Sequence, residues 1–176
     1  MLFFYPLNLI SKLIPTGGDE AAYEQVIDGK GKFLMPGLMD THTHLAICRP
    51  PQELENIYTL DYIGGLALME AERYLMRGFT TVRDVGGPTI ATQLLIEQGY
   101  APGPRIFSSG AGLAQTGGHG DMRNANSKSH LFNNGRFLMS DYGFFYLADG
   151  IAEVQKACRE TLSKQATQIK LCTGGG

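Results

Sequence analysis

Residues 35–45 read MPGLMDTHTHL: a proline–glycine pair, a short apolar run, then two histidines one residue apart. Pro36-Gly37 marks a turn. LMDTHTHL then reads as a buried strand with His42 and His44 at its C-terminal end. Side chains at i and i+2 of a strand share a face, so both imidazoles project together. Neutral imidazole is the commonest protein ligand for zinc-like metals. Two imidazoles do not complete a catalytic metal site, and a chain with four histidines can also hold an H-x-H pair by chance.

Upstream, residues 23–37 (YEQVIDGKGKFLMPG) read as two short strands around a glycine-containing turn. Residues 1–20 read as irregular and end in the turn signal PTGGDE. The expected organisation is an irregular N-terminal segment over 1–24 and one domain over 25–176.

Downstream, apolar residues at helical spacing over 55–78 (Leu66, Met69, Tyr74, Leu75) predict a helix that stops at Gly78. FTTVRDVGG, 79–87, is short and β-branched and reads as a strand. PTIATQLLIEQGY, 88–100, predicts a helix with Pro88 near its start and Gly99 past its end. GPRIFSSG, 103–110, reads as a third strand, and a long glycine- and asparagine-rich loop is expected over 111–150. DGIAEVQKACRETLSKQA, 149–166, predicts an amphipathic helix with Asp149 as N-cap, and TQIKLCTGGG reads as a fourth strand. Strands alternating with helices imply an α/β fold with parallel strands. Four such strands make a small open sheet or the N-terminal half of a (β/α)8 barrel, since a closed barrel of eight needs about 250 residues.

Composition narrows the function classes. The chain has 176 residues, 43% of them hydrophobic, and a formal net charge of −2 with both signs interspersed. This suits a globular domain and favours neither nucleic acid nor an anionic membrane as partner. Cys48, Cys158 and Cys172 are an odd, widely spaced set. They read as small buried hydrophobes in a reducing compartment rather than a disulfide framework. The first 15 residues are apolar, but they lack a basic leader and Pro6 interrupts them. No apolar run reaches the roughly 20 residues of a membrane span. The expected location is cytoplasmic, with secretion or a periplasmic location left open.

Three further stretches carry chemistry. Lys170 sits between Ile169 and Leu171 in a strand expected to be buried. An edge lysine reaching water is the simpler reading of it alone. A buried lysine, however, favours the neutral amine, which can add carbon dioxide to give a carbamate, an anionic ligand able to bridge two metal ions. AGLAQTGGHGD, 111–121, places His119 among glycines, where backbone can approach a ligand. It lacks a phosphate-binding fingerprint. In TTVRDVGG, Arg83 and Asp84 read first as a structural ion pair or helix cap. His130, in NANSKSHLFNNG, reads as exposed.

Taken in order, PGLMDTHTHL, TTVRDVGG, GLAQTGGHGD and IKLCTGGG resemble the amidohydrolase superfamily over roughly residues 25–176. They are most similar to its branch of imidazolonepropionase-like enzymes and Xaa-Pro-type dipeptidases. The resemblance implies His42, His44 and Lys170 as metal ligands, with a carbamate on Lys170 derived from carbon dioxide bridging two zinc-like ions. It implies His119 near the substrate. It also implies two further histidines on barrel strands 5 and 6 and a proton-shuttling aspartate on strand 8, none of which this sequence supplies. No catalytic proton-transfer residue is assigned within the chain.

The implied activity is metal-dependent hydrolysis of an amide bond in a dipeptide, an N-acyl amino acid or a cyclic amide, with this portion inactive alone. The implied substrate is a small molecule or peptide. A mononuclear deaminase-type amidohydrolase is one alternative. A non-catalytic fold fragment that self-associates, forms a homo-oligomer or pairs with a missing half is another.

Overall fold

Strand β3 is where the local rules become visible. In the computed structural model, which describes residues 2–4, 10–13, 26–50, 53, 59–123 and 138–174, LMDTHT forms β3 over Leu38–Thr43. Its buried residue is Thr43, followed by Leu45 and Ala46, while His42 is exposed and His44 half-buried. The histidines thus share one face and the core residues the other, as strand alternation requires.

The chain divides into two compact units, 1–36 and 37–176. In the first, β1 (Leu2–Phe4) pairs antiparallel with β2 (Ile10–Leu13), with Leu2 opposite Leu13. This hairpin replaces the irregular segment expected there. The two strands expected over 23–37 do not form among the described residues 26–37. Only the turn does, with Gly31 at φ +73° and the Lys32 amide donating to Gly29 O at 2.9 Å. Phe33 there is 99% exposed, so these residues have no packed face to stabilise a strand.

In the second unit, β3 is followed by helix α1 (Leu60–Met76), β4 (Phe79–Asp84), helix α2 (Ile90–Glu97) and β5 (Arg105–Ser108). The three strands pair in parallel in the order β3-β4-β5. Beyond lie β6 (Gly112–Ala114), the short helix α3 (Leu138–Asp141), β7 (Phe145–Leu147), helix α4 (Gly150–Ser163) and β8 (Leu171–Cys172). These strands form a second parallel sheet, β7-β6-β8. The architecture is α/β, with the parallel strands and crossover helices of about half a (β/α)8 barrel.

The expected third strand over 103–110 forms as β5, and it ends before Gly110, whose φ of +60° takes the backbone out of the extended region. The expected loop over 111–150 contains β6, α3 and β7, because Phe144 (0% exposed) and Phe145 (2%) anchor it in the core. The stretch 124–137, with His130, lies outside the described residues.

Helix α1 also buries a different stripe from the one expected. Ile63, Ala67 and Ala71 are fully buried, whereas Met69 is 38% exposed. These three positions are spaced i, i+4, i+8, and the small alanines let the helix lie close on β4. Gly78 follows the helix at φ +94°, a left-handed stop. The core comprises Leu45, Val82, Ile106 and Met139 with the α1 stripe and the two phenylalanines. Side chains such as Leu45 and Ile106 each contribute roughly 1.5–3 kcal/mol on full burial. The cysteines are free and half-buried rather than buried. No described helix is long and apolar enough to cross a membrane.

Candidate metal and active-site face

The strand ends set the floor of the site. Thr43, Asp84 and Ser108 lie in one cross-strand row at the C-terminal ends of β3, β4 and β5, each no more than 2% exposed. Between the pairs Asp40–Val82 and Thr43–Asp84, β3 advances three residues and β4 two. That extra residue is a bulge, and it changes which side chains face the core. Beyond it Thr43 is buried and the two histidines point away.

Both imidazoles are held close together. Their ring centroids are 5.4 Å apart at an interplanar angle of 67°. His44 Nδ1 lies 3.4 Å from Gly86 O. A carbonyl only accepts, so this bond puts the proton on Nδ1 and leaves the Nε2 lone pair free for a metal. Gly86 has φ +144°, and a Cβ there would sit 3.5 Å from the His44 ring. The GG pair after β4 thus brings a carbonyl against the histidine.

Burial pushes the His44 pKa below its ordinary value. Its contact with Gly86 O opposes this, while the charges of His42, Lys170 and His119 push it further down. The other three candidate residues thus all act on His44. Lys170 is half-buried rather than buried, and its backbone carbonyl accepts from the Leu113 amide at 2.8 Å. His119 is exposed, and its amide donates to Gly174 O at 3.3 Å. That bond ties the glycine-rich turn to the segment following Lys170. The turn is held from within: Gly117 N donates to Asp121 Oδ2 at 2.7 Å, and the Arg123 guanidinium binds both Asp121 oxygens. The guanidinium holds the Asp121 carboxyl down at about 2.

Arg83 and Asp84 do not pair with each other. Exposed Arg83 donates from Nε to Thr41 O at 2.7 Å, across to β3. Asp84 is fully buried; its Oδ1 accepts the Leu45 amide at 2.7 Å and its Oδ2 the Thr89 hydroxyl at 2.5 Å. Desolvation raises its carboxyl to about 7 against these bonds. The ion pair or helix cap expected of these two residues does not form; each instead bonds to the β3 segment, Arg83 to Thr41 O and Asp84 to the Leu45 amide.

Two imidazoles on one face, one with its Nε2 freed, fit the edge of a divalent metal site. Among the described residues no three His, Cys, Asp or Glu side chains group closely enough to hold a metal, so a third donor must be of another kind or come from elsewhere. A separate cavity of about 250 Å3 is lined by Pro88, Tyr142, Tyr146, Thr161 and Lys164 among others, but by none of His42, His44, His119 or Lys170. The donor chemistry, not the cavity, locates the site.

The amidohydrolase family model matches residues 33–176. The chain belongs to the amidohydrolase family. Among solved structures, this amidohydrolase chain is similar to a prolidase complexed with N-methylphosphonate-L-proline, at TM-score 0.75 and 32% identity over 95% of this chain and 39% of that one. It is also similar to a Xaa-Pro dipeptidase with methionine bound in its active site, at TM-score 0.63 and 31% identity, covering 80% and 34%. Among curated proteins it is 33% identical over 157 residues to the ochratoxinase of Aspergillus niger, covering 81% of this chain and 31% of that protein. The amidohydrolase chain therefore spans about a third of the curated relative's length.

Sequence reasoning missed three supporting residues. Asp40 accepts the His42 amide at 3.0 Å; the signal was an aspartate two residues before the histidine, the spacing of an Asx turn. Gly86 O was foreshadowed only by the paired glycines. Gln168 donates from Nε2 to Phe107 O at 2.8 Å and to Asp84 O at 3.3 Å, stitching the start of the fourth strand to β4 and β5. Nothing in its sequence context marks it.

Proposed function

We propose that the whole protein is a metal-dependent hydrolase of amide bonds, acting on a dipeptide, an N-acyl amino acid or a small cyclic amide. His42, His44 and a carbamate on Lys170 are its donors to a binuclear, zinc-class site in this reading. The observation that carries it is the shared face of His42 and His44, with the Nε2 of His44 freed by Gly86 O. Burial favours the neutral form of His44, the form a metal requires. Divalent ions bound there would supply an activated water and a Lewis acid for the scissile carbonyl. In this reading Lys170 carries an anionic carbamate that would offset the ions' charge. His119, on a turn braced by Asp121 and Arg123, would in the same reading donate to a substrate carbonyl or carboxylate.

The 176-residue chain alone is expected to be inactive. Its described residues bring no third His, Cys, Asp or Glu side chain to complete a metal site around the pair. Assay of the purified chain with zinc or manganese against a dipeptide panel should show no turnover; rates within a few-fold of an ordinary hydrolase would refute this. In the full-length protein, two metals per chain and a carbamate signal after labelling with 13C-bicarbonate are expected. One metal and no such signal would indicate the mononuclear deaminase chemistry instead.

A further inference from the structure

Asp84 sits on the core side of β4, yet it fixes backbone on the strand that carries the histidines. The bulge in β3 disturbs the ladder where the H-x-H pair lies, and three bonds take up the backbone groups around it. Asp40 Oδ1 accepts from His42 N at 3.0 Å, Thr43 O accepts from Val85 N at 2.9 Å, and Asp84 Oδ1 accepts from Leu45 N at 2.7 Å. The second oxygen of Asp84 is held by Thr89 Oγ1, itself 2.7 Å from Ser108 Oγ. Asp84, Thr89 and Ser108 are all 0% exposed. A buried carboxyl is costly, and an apolar residue would pack there without that cost. What the carboxyl supplies is an acceptor at a set point beyond the end of β3. A slip of one residue in β3 would turn both imidazoles toward the core.

We propose that Asp84 is a positioning residue for the H-x-H pair: by accepting the Leu45 amide across the strand boundary, it sets where β3 ends and hence where the His42 and His44 imidazoles point. The consequence for metal binding rests on the functional reading above. The consequence for the imidazoles does not.

The test follows the ring resonances of His42 and His44 by NMR in the metal-free 176-residue chain. Asp84→Ala should displace both sets of signals, His44 more. Asp84→Asn keeps an acceptor for Leu45 N and should restore them. Val82→Ala, a core truncation on the same strand, should lower the melting temperature without displacing them. Thr89→Val frees Oδ2 while keeping the carboxyl and should give a smaller displacement in the same direction.

A folded Asp84→Ala chain whose ring signals match those of Val82→Ala overturns the proposal. So does Asp84→Asn behaving like Asp84→Ala. If Asp84→Ala does not fold, unmoved signals in Thr89→Val overturn it. Cobalt titration separates the two readings. Asp84→Ala should weaken cobalt binding roughly ten- to a hundredfold, as loss of an outer-shell partner does, and His44→Ala should abolish it. If His44→Ala binds cobalt like the wild type, the metal assignment falls and the ring signals alone judge Asp84. If His44→Ala loses cobalt while Asp84→Ala keeps wild-type affinity, the positioning proposal falls alone.

Discussion

Gly37 shows how a single residue admits the strand that follows it. A Cβ there would lie 2.2 Å from both terminal atoms of Thr80, far inside contact distance. Thr80 is the extra residue that β4 contributes where Leu38 pairs Phe79 and Met39 pairs Thr81. Gly37→Ala should therefore destabilise by about 1–3 kcal/mol, the usual cost of overpacking. Chemical denaturation would read it, and Thr80→Gly should recover part of the loss.

Asp84 gives a pH signature at the same scale. The folded carboxyl keeps its proton up to about pH 7, the unfolded one only to about 3.8. Between those values the folded state binds more protons, so stability should fall as pH rises through that window. The shift corresponds to a ceiling of about 4 kcal/mol, at 1.36 kcal/mol per pKa unit. Melting temperatures of the wild type and Asp84→Asn between pH 4 and 8 would test this; the variant should lose most of the slope.

Among the elements, the glycine-rich turn over 117–121 is tied by a carboxylate and a guanidinium. Asp121→Asn or Arg123→Ala should leave the sheets intact but expose the Gly117 and His119 amides to faster hydrogen exchange. Unchanged protection at both amides would show that packing holds the turn. The Asp121 carboxyl, held at about 2, also contributes stability above its unfolded pKa near 4, lost as pH falls toward 2. The helices make a different point. The α4 N-cap, Asp149, spends its carboxylate on the Thr116 amide and hydroxyl, at 3.0 and 2.5 Å. Its own amide goes to Glu153 Oε2 at 2.8 Å, a bond back to the cap from the helix's first turn. The residue type was legible in the sequence, but its long-range partner was not, because Thr116 lies 33 residues away.

At the scale of the molecule, the β3-β4-β5 sheet covers one face with α1 and α2. On the other it leaves Met39 71% and Phe107 41% exposed, beside exposed Arg83. Parallel sheets are normally covered on both faces. The isolated chain should therefore self-associate, with a concentration-dependent elution volume in size-exclusion chromatography. A monodisperse monomer would count against this. Since the chain covers about two-fifths of the prolidase structure it resembles, co-expression with a matching remainder should suppress the self-association.

The alternation of strands and helices and the stops at Gly78 and Gly99 could be read from the sequence, because strand and helix periods and glycine's left-handed backbone are local chemistry. His42, His44, His119 and Lys170 stand out there as candidates, by residue type and by the family resemblance of the motifs that hold them. The bulge in β3, the strands hidden in the supposed loop and the alanine stripe of α1 were decided by neighbours distant in sequence. The same holds for the bond from His44 to Gly86 O and for the burial of Asp84 beneath the histidines. A carboxylate beside an arginine reads as an ion pair in one dimension. Only the packing of three strands turns it inward, where an amide from the next strand is its partner.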